Sequence, residues 1–364
     1  MTMRLPKDSA EFARWYGRYF SPVALVAGFV VDTLYLTSRV DLWQTNALLG
    51  AYLVLAGLGI LATNAIEAGR IRNARIVAVA PFVAILVQFS FGNLFSAYLS
   101  LYGRSAAFAG SWVFVALVAT LLVGNERFIR LYARVPFQIS IYFVVLYSFL
   151  IFFLPIIFRS LGTEMFLLAG AASLVLTALF LLALSRVARA RMRLALLSTV
   201  RSVIIIFLAF NVLYFSNLIP PLPLALKEAG VYHSVERQSG GMYRLMGEAL
   251  PWYEPYLRYN TVLHLTQGES AYVFTAVFAP TGLSTPIAYE WEHREDGEWI
   301  PRGRIAFSIM GGRDGGYRSY SMLEDPEEGM WRVNVLTPDG RIIGRVSFTV
   351  IRASTTPMLV VEEG

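Results

Sequence analysis

Residues 217–230 read "NLIPPLPLALKEAG", and the fold class turns on what happens there. Pro220, Pro221 and Pro223 stop any helix arriving from the N-terminal side, because proline lacks the N–H of the i→i−4 bond and clashes with the preceding turn. Before them the chain is a series of long apolar runs, and beyond them apolar and polar residues alternate. The expectation is a membrane α-helical bundle of about seven transmembrane helices over residues 1–220. An all-β, immunoglobulin-like sandwich over 259–364 follows, with 221–258 as a connecting region.

Composition supports the first half of that expectation. Of 364 residues, 56% are hydrophobic and only 15% charged, which is too apolar for an ordinary soluble protein. Mean hydropathy is +0.54. Apolar runs long enough to cross a hydrocarbon core of about 30 Å lie near 21–38, 45–65, 74–102, 106–124, 136–158, 162–185 and 202–219. The run at 74–102 overshoots the core as a straight helix, so either it is tilted or it is broken, with Gly92 and Asn93 as the expected break.

Charge orients the bundle. Residues 1–220 carry 18 Lys or Arg against 7 Asp or Glu, and the remainder carries 13 against 18. Alternate connectors hold 15 basic residues against 3 on the opposite side, which places the N-terminus in the cytoplasm and, after an odd number of spans, the C-terminal domain outside. The first run reads as a retained signal anchor, preceded by an amphipathic interfacial helix at 8–20. A basic excess confined to short loops serves membrane orientation, so no nucleic-acid partner is expected.

Downstream, short helices are expected near 224–229 and 242–249. Trp252, Tyr253, Tyr256 and Tyr259 form an aromatic cluster, either an interfacial belt or an edge of the domain core. Strands are expected at 261–266, 270–279, 286–293, 303–310, 317–322, 330–336 and 342–351. Alternation puts Trp331, Val333 and Val335 on one face and Val346, Phe348 and Val350 on another. "TPDG" at 337–340 supplies the turn between them.

Several stretches together resemble a bacterial family known as the domain of unknown function 2914. They are "GFVVDTLYLTSRVDLW", "FSFGNLFSAYLSLYGRSA", "FQISIYFVVLYSFLIFFLPIIF", "IPPLPLALKEAGVYHSVER", "VFTAVFAPTGLSTPI", "GGRDGGYRSYS" and "GMWRVNVLTPDGRIIGRVSFTV". The resemblance implies a multi-span membrane region of the bacterial inner membrane joined to a C-terminal β domain, and it implies no activity. Many members of the family carry histidine two places before the strand tryptophan, whereas this chain has Tyr289 before Trp291, which weakens a catalytic role for histidine there.

The chain has no cysteine, and its histidines, His233, His264 and His293, show no H-x-x-x-H or H-E-x-x-H spacing. Thiolate chemistry is excluded, and no metal, cofactor or catalytic residue is assigned. A nucleophile elbow G-x-S-x-G is absent from the sequence. The candidate ligand site is "GGRDGGYRSYS", 311–321, where glycines allow an anion nest beside Arg313 and Asp314. Tyr317 follows, and Arg318 and Tyr320 fall on one strand face where a guanidinium and a ring hold a carboxylate or sugar. The competing reading is a glycine hairpin closed by Asp314.

Inside the first run Asp32 is an intramembrane polar candidate, either a proton or cation site or a structural partner of Arg39 or of an asparagine. Asn93 is the second such candidate. The leading expectation is a non-enzymatic membrane protein in contact with the lipid bilayer, presenting its sandwich to an anionic glycan, peptidoglycan or envelope-protein partner. A small-solute or ion transporter using Asp32 is the alternative, and a membrane-embedded enzyme of envelope metabolism the third.

Overall fold

A computed structural model describes residues 41–105, 108–249, 261–313, 315–355 and 357–363. Apart from Arg104–Ser111, the chain divides between Ile219 and Pro220 into a helical unit and a β unit. The boundary is where the three prolines begin.

Seven α-helices occur among the described residues: α1 (Trp43–Glu67), α2 (Ala74–Ala78), α3 (Ala80–Ser105), α4 (Phe108–Arg127), α5 (Val135–Phe158), α6 (Thr163–Val187) and α7 (Arg189–Phe215). A 3₁₀ turn, Phe128–Ala133, precedes α5. Among the described residues five helices are long and apolar enough to cross a membrane: α1, α3, α5, α6 and α7. The expected run at 21–38 lies outside the described residues. The run at 74–102 is broken, but at Val79 rather than at Gly92–Asn93, through which α3 continues. Pro81, in the first turn of α3, cannot donate to Val77, so the hydrogen-bond ladder restarts there. Gly92 faces α4, where a Cβ built on it would stand 3.4 Å from Asn125 Nδ2, an ordinary contact.

α5 runs through the centre of the helical unit, with fourteen buried residues. α3 grips it through Tyr98, whose hydroxyl donates to Val145 O at 2.8 Å, and Tyr102, which donates to Ser148 O at 3.1 Å. Small residues bring other helices close: a Cβ on Gly170 of α6 would lie 2.8 Å from the Tyr147 hydroxyl of α5.

Among its described residues the β unit holds eleven strands in three sheets: β1 (Ala225–Tyr232), β2 (Ser234–Arg237), β3 (Tyr243–Glu248), β4 (Val262–Leu265), β5 (Ala271–Phe278), β6 (Ser284–Glu295), β7 (Glu298–Met310), β8 (Tyr317–Leu323), β9 (Gly329–Leu336), β10 (Ile342–Arg352) and β11 (Leu359–Glu363). All seven expected strands are present. The sheets are ordered β1-β5-β8, β4-β10-β9-β6-β7 and β11-β3-β2.

The first two sheets face each other as a sandwich. Trp331, Val333 and Val335 point inward together with Val346, Phe348 and Val350, as their alternation requires. Each such side chain contributes roughly 1.5–3 kcal/mol of burial. Trp291 is 1% exposed, meets Trp331 and Phe348 edge-on, and donates Nε1–H to Ser321 Oγ at 2.9 Å. The third sheet covers the opposite side of β5, closing a small core of Tyr232, Val235, Tyr243, Leu245 and Phe274.

Two expectations are corrected here. The segments near 224–229 and 242–249 are the strands β1 and β3, not helices, so much of 221–258 belongs to the sheets rather than to a connector. "ALKEAG" is made of helix formers, but intrinsic propensity is a weak preference. Pairing of β1 with β5 over Ala225–Tyr232 outweighs it. The aromatic cluster at 252–259 lies outside the described residues.

Candidate functional site

The glycine loop between β7 and β8 is packed by its own backbone. Gly311 N–H donates to Leu283 O at 2.9 Å, Gly312 N–H to Ala279 O at 3.0 Å and Gly316 N–H to Arg313 O at 3.0 Å. Those three donors are thereby used, and the expected anion nest does not form from them. A Cβ on Gly311 would sit 1.9 Å from Pro280 O, and Gly316 has φ +89° beside the β5 backbone. Close approach explains these two glycines without a ligand. Asp314 lies outside the described residues.

Strand pleating divides the remaining candidates. Ser319 and Ser321 point into the sandwich, where they meet Tyr289 and Trp291. Arg318 and Tyr320 therefore share the other face, while Arg313, exposed, places its guanidinium 5.7 Å from the Tyr317 ring. Tyr320 is 41% exposed and contacts Tyr243 and Tyr272, with ring centroids 6.2 and 6.1 Å away. Arg318 stands opposite Ala276, on an edge strand of its sheet. Its Nε is buried and has no acceptor among the described residues. A partly desolvated guanidinium with no counter-ion among the described residues, rimmed by phenol rings, is chemically a receptor for an oxyanion.

The histidines gain partners that their spacing conceals. Glu248 at the end of β3 takes His233 Nε2 at 3.2 Å and His264 Nδ1 at 2.8 Å, and it also accepts the His264 backbone N–H at 2.6 Å. Burial pushes the Glu248 carboxyl up, but the hydrogen bonds from both histidines outweigh it and hold the group below its ordinary value. His233 lies in the bend between β1 and β2, Glu248 on β3 and His264 on β4 of another sheet, so only the packing of the sheets brings the three together.

His293 stacks on Trp331 at 4.5 Å, in keeping with a packed histidine. Its ligand atom and those of Glu295 and Glu327 lie within 4.8 Å of one another, the compass of a metal site. Arg302 already reaches both carboxylates. It sits at the bulge where Trp291 pairs with Gly303 and Glu292 with Pro301, and its guanidinium supplies the cation this cluster requires.

On the outer face of the same sheet Glu292 is held by Arg332 through two nitrogens and by Asn334 Nδ2 at 2.5 Å. Arg345 Nε donates to Asn334 Oδ1 at 2.6 Å. Burial raises the Glu292 carboxyl, while Arg332 and Asn334 lower it by more, leaving it below its ordinary value.

In the helical unit Asp32 falls outside the described residues. Asn93 turns its Nδ2 onto Phe89 O of its own helix at 2.8 Å, so it is not joined to any other helix by that bond. A buried amide chain that begins at Asn64, named from the sequence only as a possible partner of Asp32, lies elsewhere. Asn64 of α1 donates to Gln138 Oε1 of α5 at 2.7 Å, Gln138 reaches Tyr132 O, and the Tyr132 hydroxyl reaches Asn125 of α4. Asn125 Nδ2 donates to Gln88 O of α3 at 3.0 Å. Asn64 is fully buried and its Oδ1 has no donor among the described residues. Isolated amides in apolar runs were the available signal.

Residues 284–350 match the family described as "Protein of unknown function (DUF2914)", which covers β6 through most of β10. No curated protein matches the chain. Among solved structures, an immunoglobulin-like protein from Pseudomonas aeruginosa is 17% identical, with 35% of this chain and 92% of that one covered and a TM-score of 0.20. A β-glucosidase from Listeria innocua is 10% identical over 34% of this chain and 17% of its own, with a TM-score of 0.18. The alkylpurine DNA glycosylase AlkC of Pseudomonas fluorescens is 12% identical over 95% and 86%, with a TM-score of 0.22.

Proposed function

We propose that the chain, whose C-terminal domain carries the DUF2914 match, is a bacterial inner-membrane protein that mounts an extracytoplasmic recognition domain on a helical anchor. Five long apolar helices and the one-sided basic connectors support a cytoplasmic N-terminus. The observation that carries the recognition reading is Arg318, whose buried Nε has no acceptor among the described residues and whose strand face is rimmed by Tyr243, Tyr272 and Tyr320. An acidic group of a glycan, a peptidoglycan fragment or an envelope protein complements it.

The test is binding of the full chain in detergent to soluble peptidoglycan fragments and to a uronic-acid oligosaccharide. Arg318→Gln lowers affinity at least about tenfold, one bidentate contact's worth, with the melting temperature unchanged. Equal affinity in the variant, or its loss together with the fold, removes the reading.

A second reading, transport of a small solute or ion, is favoured by one observation: the amide chain around the fully buried Asn64, whose Oδ1 has no donor among the described residues. Flux in proteoliposomes that survives both Asn64→Leu and Asp32→Asn eliminates it.

A further inference from the structure

α7 is the least covered of the five long apolar helices, with 17% of its apolar window buried. Its buried residues are Met192, Thr199, Val203, Phe210 and Tyr214, which at 3.6 residues per turn occupy a sector of about 60°. The opposite face exposes Leu197 by 73%, Leu208 by 56% and Val212 by 64%. Arg193 and Arg201 lie on that same exposed face, and Arg189 flanks it.

The start of α7 is fixed in place by Arg191. One nitrogen of its guanidinium pairs with Glu67 at the end of α1, and the other donates to Ala133 O, before α5, at 2.9 Å. This bracing gathers three helix junctions at one end of the unit. Arg70, Arg72, Arg134, Arg186, Arg189 and Arg193 are all exposed there. Among the described side chains of this end the one acid, Glu67, is occupied by Arg191. The described side chains of this end therefore carry a net positive charge beside an exposed apolar stripe.

Every basic residue between 41 and 219 is arginine, whose planar fork holds phosphate with two parallel hydrogen bonds. From Arg193 to Phe215 the helix is about 33 Å long, close to the roughly 30 Å of a hydrocarbon core. We propose that the arginine-headed face of α7 is a docking site for an anionic phospholipid. Arg189 and Arg193 hold the headgroup phosphate, Arg134 and Arg186 stand at its rim, and acyl chains lie along Leu197, Leu208 and Val212. Arg201, two turns further along, extends its guanidinium back toward the same headgroup. The inference rests on the reading that these helices cross a membrane.

The full chain, purified in a neutral detergent, is offered phosphatidylglycerol, phosphatidylcholine or inorganic phosphate, and bound lipid is counted by native mass spectrometry. Phosphatidylglycerol adducts are expected to exceed phosphatidylcholine adducts and to fall at least about fivefold in the double variant Arg189→Gln, Arg193→Gln. Arg304→Gln in the β unit leaves them unchanged and serves as control. Equal adducts of the two lipids, or undiminished phosphatidylglycerol in the double variant, overturns the proposal. So does inorganic phosphate displacing the lipid at equal concentration, which would make the site one for free anions. A dimer crosslinked through Leu197→Cys that excludes the lipid also overturns it, in favour of a second copy of this chain. Release of the protein from membranes by alkaline wash removes the membrane reading itself, whereas retention without lipid preference removes only this inference.

Discussion

Tyr289 and Ser319 join the two facing sheets of the sandwich: the phenol oxygen of Tyr289 on β6 lies 2.9 Å from Ser319 Oγ on β8 and also donates to Ser319 O at 3.2 Å. The same oxygen lies 2.5 Å from Thr275 Oγ1 on β5. Burial pushes the phenol up to about 12, so it is neutral at every physiological pH and works as a hydrogen-bonding bolt. Tyr289→Phe leaves two buried hydroxyls short of a partner and is expected to destabilise the β unit by about 1–3 kcal/mol. Chemical denaturation followed by tryptophan fluorescence measures it, and a change below about 0.5 kcal/mol contradicts the bolt.

The Glu292 carboxylate predicts an acid sensitivity. Its folded pKa is depressed, so its contribution to stability is present above the unfolded carboxylate pKa and is lost as pH falls through the folded one. Glu248 behaves in the same way. Wild-type stability is therefore expected to drop as the solution is acidified below about pH 4, the ordinary glutamate range. Glu292→Gln strands Arg332 and costs roughly 3 kcal/mol at neutral pH, but its acid limb is shallower. Parallel pH profiles of the two proteins would refute the assignment.

The glycine loop separates packing from binding by position. Gly311→Ala drives a Cβ against the backbone oxygen of Pro280 and is expected to cost about 1–3 kcal/mol. At Gly315 the nearest group is the Arg318 guanidinium at 3.8 Å, so Gly315→Ala stays within about 0.5 kcal/mol. Thermal melts of the two variants test the contrast, and equal behaviour would mean the loop is not seated on 279–283.

What the sequence made legible were the features written in local periodicity. Trp331, Val333 and Val335 announce their strand by alternation, and the prolines at 220–223 announce the change of domain. β1 was not legible because its helix-forming letters are overruled by pairing with β5, whose paired residues lie from 40 (Tyr232 with Tyr272) to 53 (Ala225 with Phe278) positions away along the chain. The histidines lack a spacing motif, yet His233 and His264 meet on Glu248 where strands of two different sheets approach each other. Arg318 was legible as a candidate because strand parity fixes its face. Its unpartnered Nε was not, since only the packed sheets determine which donors find acceptors.

Asn64 gives the helical unit its own test. Its fully buried amide links α1 to α5 through Gln138. Replacing it with leucine strands Gln138 Oε1, and interhelical bonds of this kind are worth about 1 kcal/mol in membranes. Among the described residues Asn93 bonds only within its own helix, so Asn93→Leu should be close to neutral. Detergent melts of the full chain measure both, with Asn64→Leu expected to unfold several degrees earlier and Asn93→Leu with the wild type. If the two variants melt together, the amide chain does not brace the helices, and the buried Asn64 oxygen must be explained by something that it binds.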